Sequence, residues 1–190
     1  MADSEIVRVL GFSGSLRKES YNGAALRAAA ELAPEGMVIE TVDLSPIPLY
    51  NDDVYQRGFP PGVQDFRARI SAADAVLIAT PEYNYSVPGV LKNAIDWASR
   101  PPDQPFNGKP LALMGASTGR FGTARGQYHL RQVFVFLNAH ILNKPEVMIT
   151  DARAKFDARG RLIDEPTRGF IRDLLVALRD WTLRLRAGSD

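Results

Sequence analysis

Three clusters of polar and aromatic residues carry the chemistry open to this sequence. The first is Ser13-Gly14-Ser15-Leu16-Arg17-Lys18-Glu19-Ser20-Tyr21-Asn22, which separates an apolar run at residues 6–12 from an alanine-rich helical stretch at 23–33. A strand, a hydroxyl-rich loop and a helix start together make an anion site. The first N–H groups of a helix have no partner within it, and the helix dipole favours negative charge there. Ser15, Ser20 and Asn22 add side-chain donors, and Arg17 adds a fixed positive charge. The combination predicts a bound phosphate. Ser20 or Asn22 taken alone fits a helix cap equally well; the whole pattern favours the phosphate.

The second cluster is Thr80-Pro81-Glu82-Tyr83-Asn84-Tyr85-Ser86-Val87-Pro88-Gly89, and the third is Ser117-Thr118-Gly119-Arg120-Phe121-Gly122. The rings of Tyr83 and Tyr85 can lie beside a flat heteroaromatic ligand. The backbone amides of this loop, with Asn84, can reach its polar edge. Ser117 offers a hydroxyl, the glycines Gly119 and Gly122 a close backbone approach and Arg120 a cation. A phosphate joined to a planar ring with a polar edge describes flavin mononucleotide (FMN). Glu82 is expected to be a solvated loop carboxylate whose backbone matters more than its side chain. Arg120 fits a flavin edge, a nicotinamide phosphate or a solvated loop.

The elements that position these loops alternate along the chain. Apolar runs at 6–12, 37–42, 75–80, 110–116 and, interrupted, 141–149 read as strands. The run Ala75-Val76-Leu77-Ile78-Ala79 lacks polar alternation, which suits a parallel strand covered on both faces. Helical patterns fall at about 24–33, 62–72, 88–99, 121–138 and 165–186. In the last, Phe170, Leu174, Leu178, Trp181 and Leu185 are spaced as one apolar face. Five strands alternating with five helices predict a doubly wound α/β sheet with helices on both faces. Such sheets commonly take the order 2-1-3-4-5, which places the switch point, and hence a ligand, between strands 1 and 3. The three clusters leave strands 1, 3 and 4 and would converge there. The irregular segment 43–59 is left to wrap the sheet edge or to meet another subunit, and Trp97 to pack.

Composition narrows the function further. The 190 residues fit a single domain over 1–190, with 45% hydrophobic and 24% charged residues. A net charge of +1 offers no basic surface for nucleic acid. No apolar run is long enough to span a membrane, and residues 1–5 do not begin a signal peptide, so the cytoplasm is the expected compartment. Cysteine is absent, which removes disulfides, thiolate metal sites and a dithiol redox centre. His129 and His140 lack ligand spacing and read as structural.

The segments Gly14-Ser15-Leu16-Arg17-x-x-Ser20-x-Asn22 and Pro81-Glu82-Tyr83-Asn84, the latter continuing through Ser86-x-Pro88-Gly89-x-Leu91-Lys92-Asn93-Ala94-Ile95-Asp96-Trp97, resemble the phosphate and flavin-ring motifs of the NAD(P)H-dependent FMN reductases. The subgroup most similar is the bacterial chromate and quinone reductases. The resemblance implies a flavodoxin-like fold, FMN held by Ser15, Arg17, Ser20, Tyr21, Asn22, Pro81, Glu82, Tyr83, Asn84, Ser117, Gly119 and Arg120, and NADH or NADPH as co-substrate. It implies a homodimer or homotetramer and small-molecule electron acceptors: quinones, ferric complexes, chromate, azo and nitro compounds. A flavin carries the redox chemistry itself, so no catalytic residue of the protein is expected. The face bearing Arg125 and Tyr128, with Glu146, is a candidate subunit contact. A flavin-free dehydrogenase is disfavoured because Gly11-x-x-Gly14 lacks the dinucleotide fingerprint, although Asp43 could still bind a ribose. The phosphate-loop motif of NTPases is missing. The alternative from another class is a flavodoxin-like electron carrier, against which the near-neutral charge argues.

Overall fold

The computed structural model describes residues 6–188. Its strands are β1 (Val7–Ser13), β2 (Met37–Val42), β3 (Ala75–Ala79), β4 (Pro110–Ala116), β5 (His140–Ile141) and β6 (Val147–Ile149). Its helices are α1 (Tyr21–Glu31), α2 (Asp52–Tyr55), α3 (Pro61–Ala72), α4 (Gly89–Ala98), α5 (Ala124–Phe136), α6 (Ala152–Lys155) and α7 (Glu165–Ala187). All strand pairs are parallel, in the order β2-β1-β3-β4-β5, with β6 also on β4. This is the expected flavodoxin-like sheet.

The alternation of side chains along each strand divides the core. Val7, Val9, Leu77, Ala112 and Met114 pack beneath α1 and α7. Leu10, Phe12, Val76, Ile78, Leu111 and Leu113 pack beneath α3, α4 and α5. Every residue of β3 is buried, as its unbroken apolar run requires.

The fifth strand position is divided. β5 pairs Pro110 with His140, whereas β6 pairs Met114 with Val147, so the register steps between them. Pro145 lies in the interruption and has no N–H for a ladder. Segment 43–59 wraps against α4: the Pro48 carbonyl accepts from Asn93 Nδ2 at 2.8 Å and from Trp97 Nε1 at 2.9 Å. Trp97 is fully buried, edge-on to Tyr50 and Phe59.

The buried stripe of α7 differs from the apolar reading. It runs through Thr167, Ile171, Leu174, Leu175, Leu178 and Thr182. Phe170 is 59% exposed. The stripe includes two threonines, which a count of apolar residues omits. Thr182 satisfies its hydroxyl on the Leu178 carbonyl at 2.8 Å and so can be buried. Asp164 caps the helix by accepting from the Thr167 N–H at 3.0 Å and its hydroxyl at 2.5 Å. These bonds hold the Asp164 carboxyl below its ordinary value of 3.8. The cap is therefore expected to contribute fully above that value and to be lost as pH falls through the lower folded one. Acid titration followed by circular dichroism should show this component in the protein and lose it in Asp164→Asn.

Candidate functional site

The loops after β1, β3 and β4 surround one cavity of about 420 Å³ at the carboxyl end of the sheet. That volume lies within the range of small-molecule sites. Ser15, Arg17, Ser20, Tyr21 and Asn22 form one wall; Pro81, Glu82 and Tyr83 form the second; Ser117 and Thr118 form the third. Asn84, Gly119 and Arg120 are not among its lining residues. Asn84 occupies the tip of a turn, and Gly119 and Arg120 lie in the exposed outer part of their loop.

The first wall is organised by a helix cap. Ser20 is buried, and its Oγ accepts from the N–H groups of Asn22 (3.2 Å) and Gly23 (3.4 Å). The Tyr21 N–H has no acceptor among the described residues, so the opening of α1 keeps a free donor. Arg17 is exposed, with its guanidinium 5.6 Å from the Tyr21 ring centroid. Asn22 lines the cavity, but both ends of its amide serve β4. Nδ2 donates to the Ala116 carbonyl at 3.0 Å, and Oδ1 accepts from the Ala116 N–H at 2.8 Å.

The second wall corrects the expectation of a solvated Glu82. Its side chain is only 5% exposed. Oε1 accepts from Arg125 Nε at 2.7 Å, and Oε2 accepts from the Gly126 N–H at 3.0 Å. The carboxylate thus clasps the loop after β3 to the first turn of α5, where the helix dipole also favours a negative charge. Arg125 stacks on Tyr85, 3.6 Å from the ring centroid, with Phe121 at 5.1 Å. It does not join Glu146, which accepts instead from Tyr128 at 3.0 Å and from Lys144 at 3.2 Å. Burial pushes the Glu146 carboxyl up, but these bonds and the charges of Lys144 and Arg131 outweigh it and hold it below the usual range.

The loop beyond Glu82 turns at Asn84 and Tyr85, both with positive φ (50° and 65°). The Tyr83 N–H donates to the Ser86 carbonyl at 3.1 Å, and the Tyr83 carbonyl accepts from the Ser86 N–H at 2.9 Å. Positive φ at both central positions is the signature of a type I′ turn. A tyrosine in that region carries a backbone cost of about 1–2 kcal/mol. The turn leaves Tyr83 and Tyr85 exposed. His129 Nδ1 lies 3.1 Å from Ser86 Oγ at its end.

In the third wall, Ser117 Oγ accepts from the Gly119 N–H at 3.1 Å. Of the two glycines of this loop, Gly122 makes the close approach. Gly122 has φ +56 and would place a Cβ 3.1 Å from Met148, whereas the nearest atom to a Cβ at Gly119 is 3.5 Å away. The Ser117 carbonyl accepts from the Ala152 N–H at 3.1 Å, which brings Arg153 of α6 to the cavity. Sequence reasoning missed Arg153. Its only signal was position, just past the end of the fifth strand position, where sheets of this class bind ligands.

Residues 7–154 match the sequence model of the family described as NADPH-dependent FMN reductase. An NAD(P)H-dependent FMN reductase of Pseudomonas aeruginosa is 65% identical over 183 residues, covering 96% of this chain and 99% of the relative. A quinone reductase of Escherichia coli is 46% identical over 186 residues, covering 96% and 99%. The solved structure of FerB, a flavoenzyme NAD(P)H:(acceptor) oxidoreductase from Paracoccus denitrificans, superimposes with a TM-score of 0.86. It is 36% identical, with 94% of this chain and 98% of that chain covered.

Proposed function

The chain belongs to the NADPH-dependent FMN reductase family, and we propose that it is an FMN-dependent NAD(P)H:quinone oxidoreductase whose cavity between the β1, β3 and β4 loops holds the flavin. The observation that carries this reading is the convergence of a phosphate-type wall and an aromatic wall on one cavity at the switch point. The donors fit the group. Ser15, Ser20, the Tyr21 N–H and Arg17 would take the phosphate, and the loops at 81–84 and 117–120 would take the ring.

Bound FMN would supply the redox chemistry, hydride acceptance and electron transfer. The chain itself supplies position. Asn22 and Ser20 fix the start of α1, and the Glu82–Arg125 clasp fixes the loop that carries Tyr83. Tyr83, Tyr85 and Phe121 are exposed, which leaves flat apolar surface for visiting acceptors. By the resemblance to the chromate and quinone reductases, the acceptor range would extend beyond quinones to ferric complexes, chromate, azo and nitro compounds. Tyr128, exposed on the face of α5 that also bears Arg125, favours a homodimer or homotetramer. The compartment would be the cytoplasm.

Anaerobic mixing of the yellow holoprotein with NADPH or NADH tests the reading. Bleaching of the flavin band and parallel initial-rate lines against quinone, the mark of ping-pong turnover, are expected. A yellow protein that neither reductant bleaches would be an electron carrier, and a protein that cannot be loaded with FMN would defeat both readings.

A further inference from the structure

A second, larger groove of about 620 Å³ lies on the far side of the phosphate-type loop and shares Arg17, Ser20 and Tyr21 with the flavin cavity. Arg17, Lys18, Arg27 and Arg159 line it, against Glu19 and Asp157. None of the four cations belongs to an ion pair among the described residues. The Asp157 carboxylate is already engaged. It accepts from the N–H groups of Arg159 (2.9 Å) and Arg161 (2.8 Å) and pairs with the Arg161 side chain at 2.7 Å. Those bonds hold it below the usual carboxylate range, so it stays a charged strut of its own turn. The turn closes through the Gly160 N–H on the Asp157 carbonyl at 2.9 Å. It stands against α1, where a Cβ on Gly160 would lie 3.1 Å from Arg27. Two separate elements thus bring Arg27 and Arg159 to one concave surface, where four cations outnumber the two carboxylates and neither arginine is in an ion pair among the described residues. Such a groove focuses positive potential and selects a multiply charged anion.

Resting on the function proposed above, we infer that this groove receives the phosphate-bearing adenosine end of the reduced dinucleotide and gives NADPH preference over NADH. NADPH differs from NADH by one phosphate on the adenosine ribose. Arginine forks match phosphate oxygens, so Arg27 and Arg159 would read that difference. A groove adjoining the flavin cavity through Arg17 and Tyr21 is placed to hold one end of a molecule whose other end meets the flavin.

The test uses the FMN-loaded protein and the double variant Arg27→Ala/Arg159→Ala. Calorimetric titration compares 2′,5′-ADP, 5′-ADP and inorganic phosphate, and the FMN absorbance per protomer monitors the neighbouring cavity. The parent protein should bind 2′,5′-ADP more tightly than the other two. The double variant should weaken that binding roughly tenfold and lower the NADPH-to-NADH ratio of kcat/KM by about the same factor. Arg57→Ala removes the same charge from the segment after β2, on the other face of the sheet, and should change neither quantity. Equal binding of the three anions by the parent protein, or an unchanged 2′,5′-ADP affinity in the double variant, would overturn the assignment. Failure of both nicotinamides to bleach the flavin defeats the reductase reading instead. Bleaching with unaltered 2′,5′-ADP binding removes only this inference.

Discussion

Gly115→Ala is expected to destabilise the protein by about 3 kcal/mol or more and to cost it most of its bound FMN. A Cβ at this position would lie 2.3 Å from the Thr80 carbonyl oxygen and 2.0 Å from Thr123 Oγ1. Neither neighbour is free to withdraw. Thr80 is tied by its N–H to the Met114 carbonyl at 2.9 Å. Thr123 is fully buried and is held through its hydroxyl by Gln127 Nε2 at 2.9 Å. Overpacking usually costs about 1–3 kcal/mol, and a rigid backbone oxygen puts this case at or beyond the upper end. The residues pushed apart are the roots of two cavity walls, Thr80 before the aromatic loop and Thr123 at the entry to α5. Flavin retention should therefore fall together with stability. Urea unfolding of the apoprotein and fluorimetric FMN titration measure the two effects. Gly119→Ala is the matched control, expected within about 0.5 kcal/mol of the parent because its nearest neighbour is 3.5 Å away. A Gly115→Ala protein as stable as that control would show that β4 does not approach Thr80 as described.

Asn22→Ala should destabilise the apoprotein by about 2–4 kcal/mol, because it strands two buried backbone groups at about 1–3 kcal/mol each. β3 ends its pairing with β4 at the Ala79–Met114 rung. The Asn22 amide then supplies both bonds to Ala116, standing in for a further rung. Asn22→Asp sharpens the test. It keeps an acceptor for the Ala116 N–H but turns a second oxygen toward the Ala116 carbonyl. The folded protein would then favour the protonated acid and raise its pKa. The loss should be full above the folded pKa and shrink as pH falls through it. If Asn22 acts on the flavin alone, both variants would change the FMN dissociation constant and leave apoprotein unfolding where it was.

Much of this was legible in the chain. The strand order follows from unbroken apolar runs alternating with helical patterns, since burial on two faces or one leaves its mark within a few residues. The phosphate-type wall was legible because Ser20 and the start of α1 are sequence neighbours, and a helix cap is a local event. The stripe of α7 was misread at Phe170 because a threonine that bonds its own helix can be buried as an apolar residue would be.

What only the tertiary structure decided lies between residues far apart in the chain. Glu82 and Arg125 are separated by 43 positions, and Asn22 and Ala116 by 94. Whether a loop carboxylate is solvated or clasped depends on which helix start the fold sets beside it, and no local pattern encodes that distance. Arg153 reached the cavity in the same way, through a bond from the Ala152 N–H to the Ser117 carbonyl. The sequence by itself determined which elements form and at which end of the sheet the chemistry collects, because propensity and periodicity act over a few residues. The partners of each polar group in the site were decided by packing, because a hydrogen bond or ion pair has value only at the separation the finished fold creates.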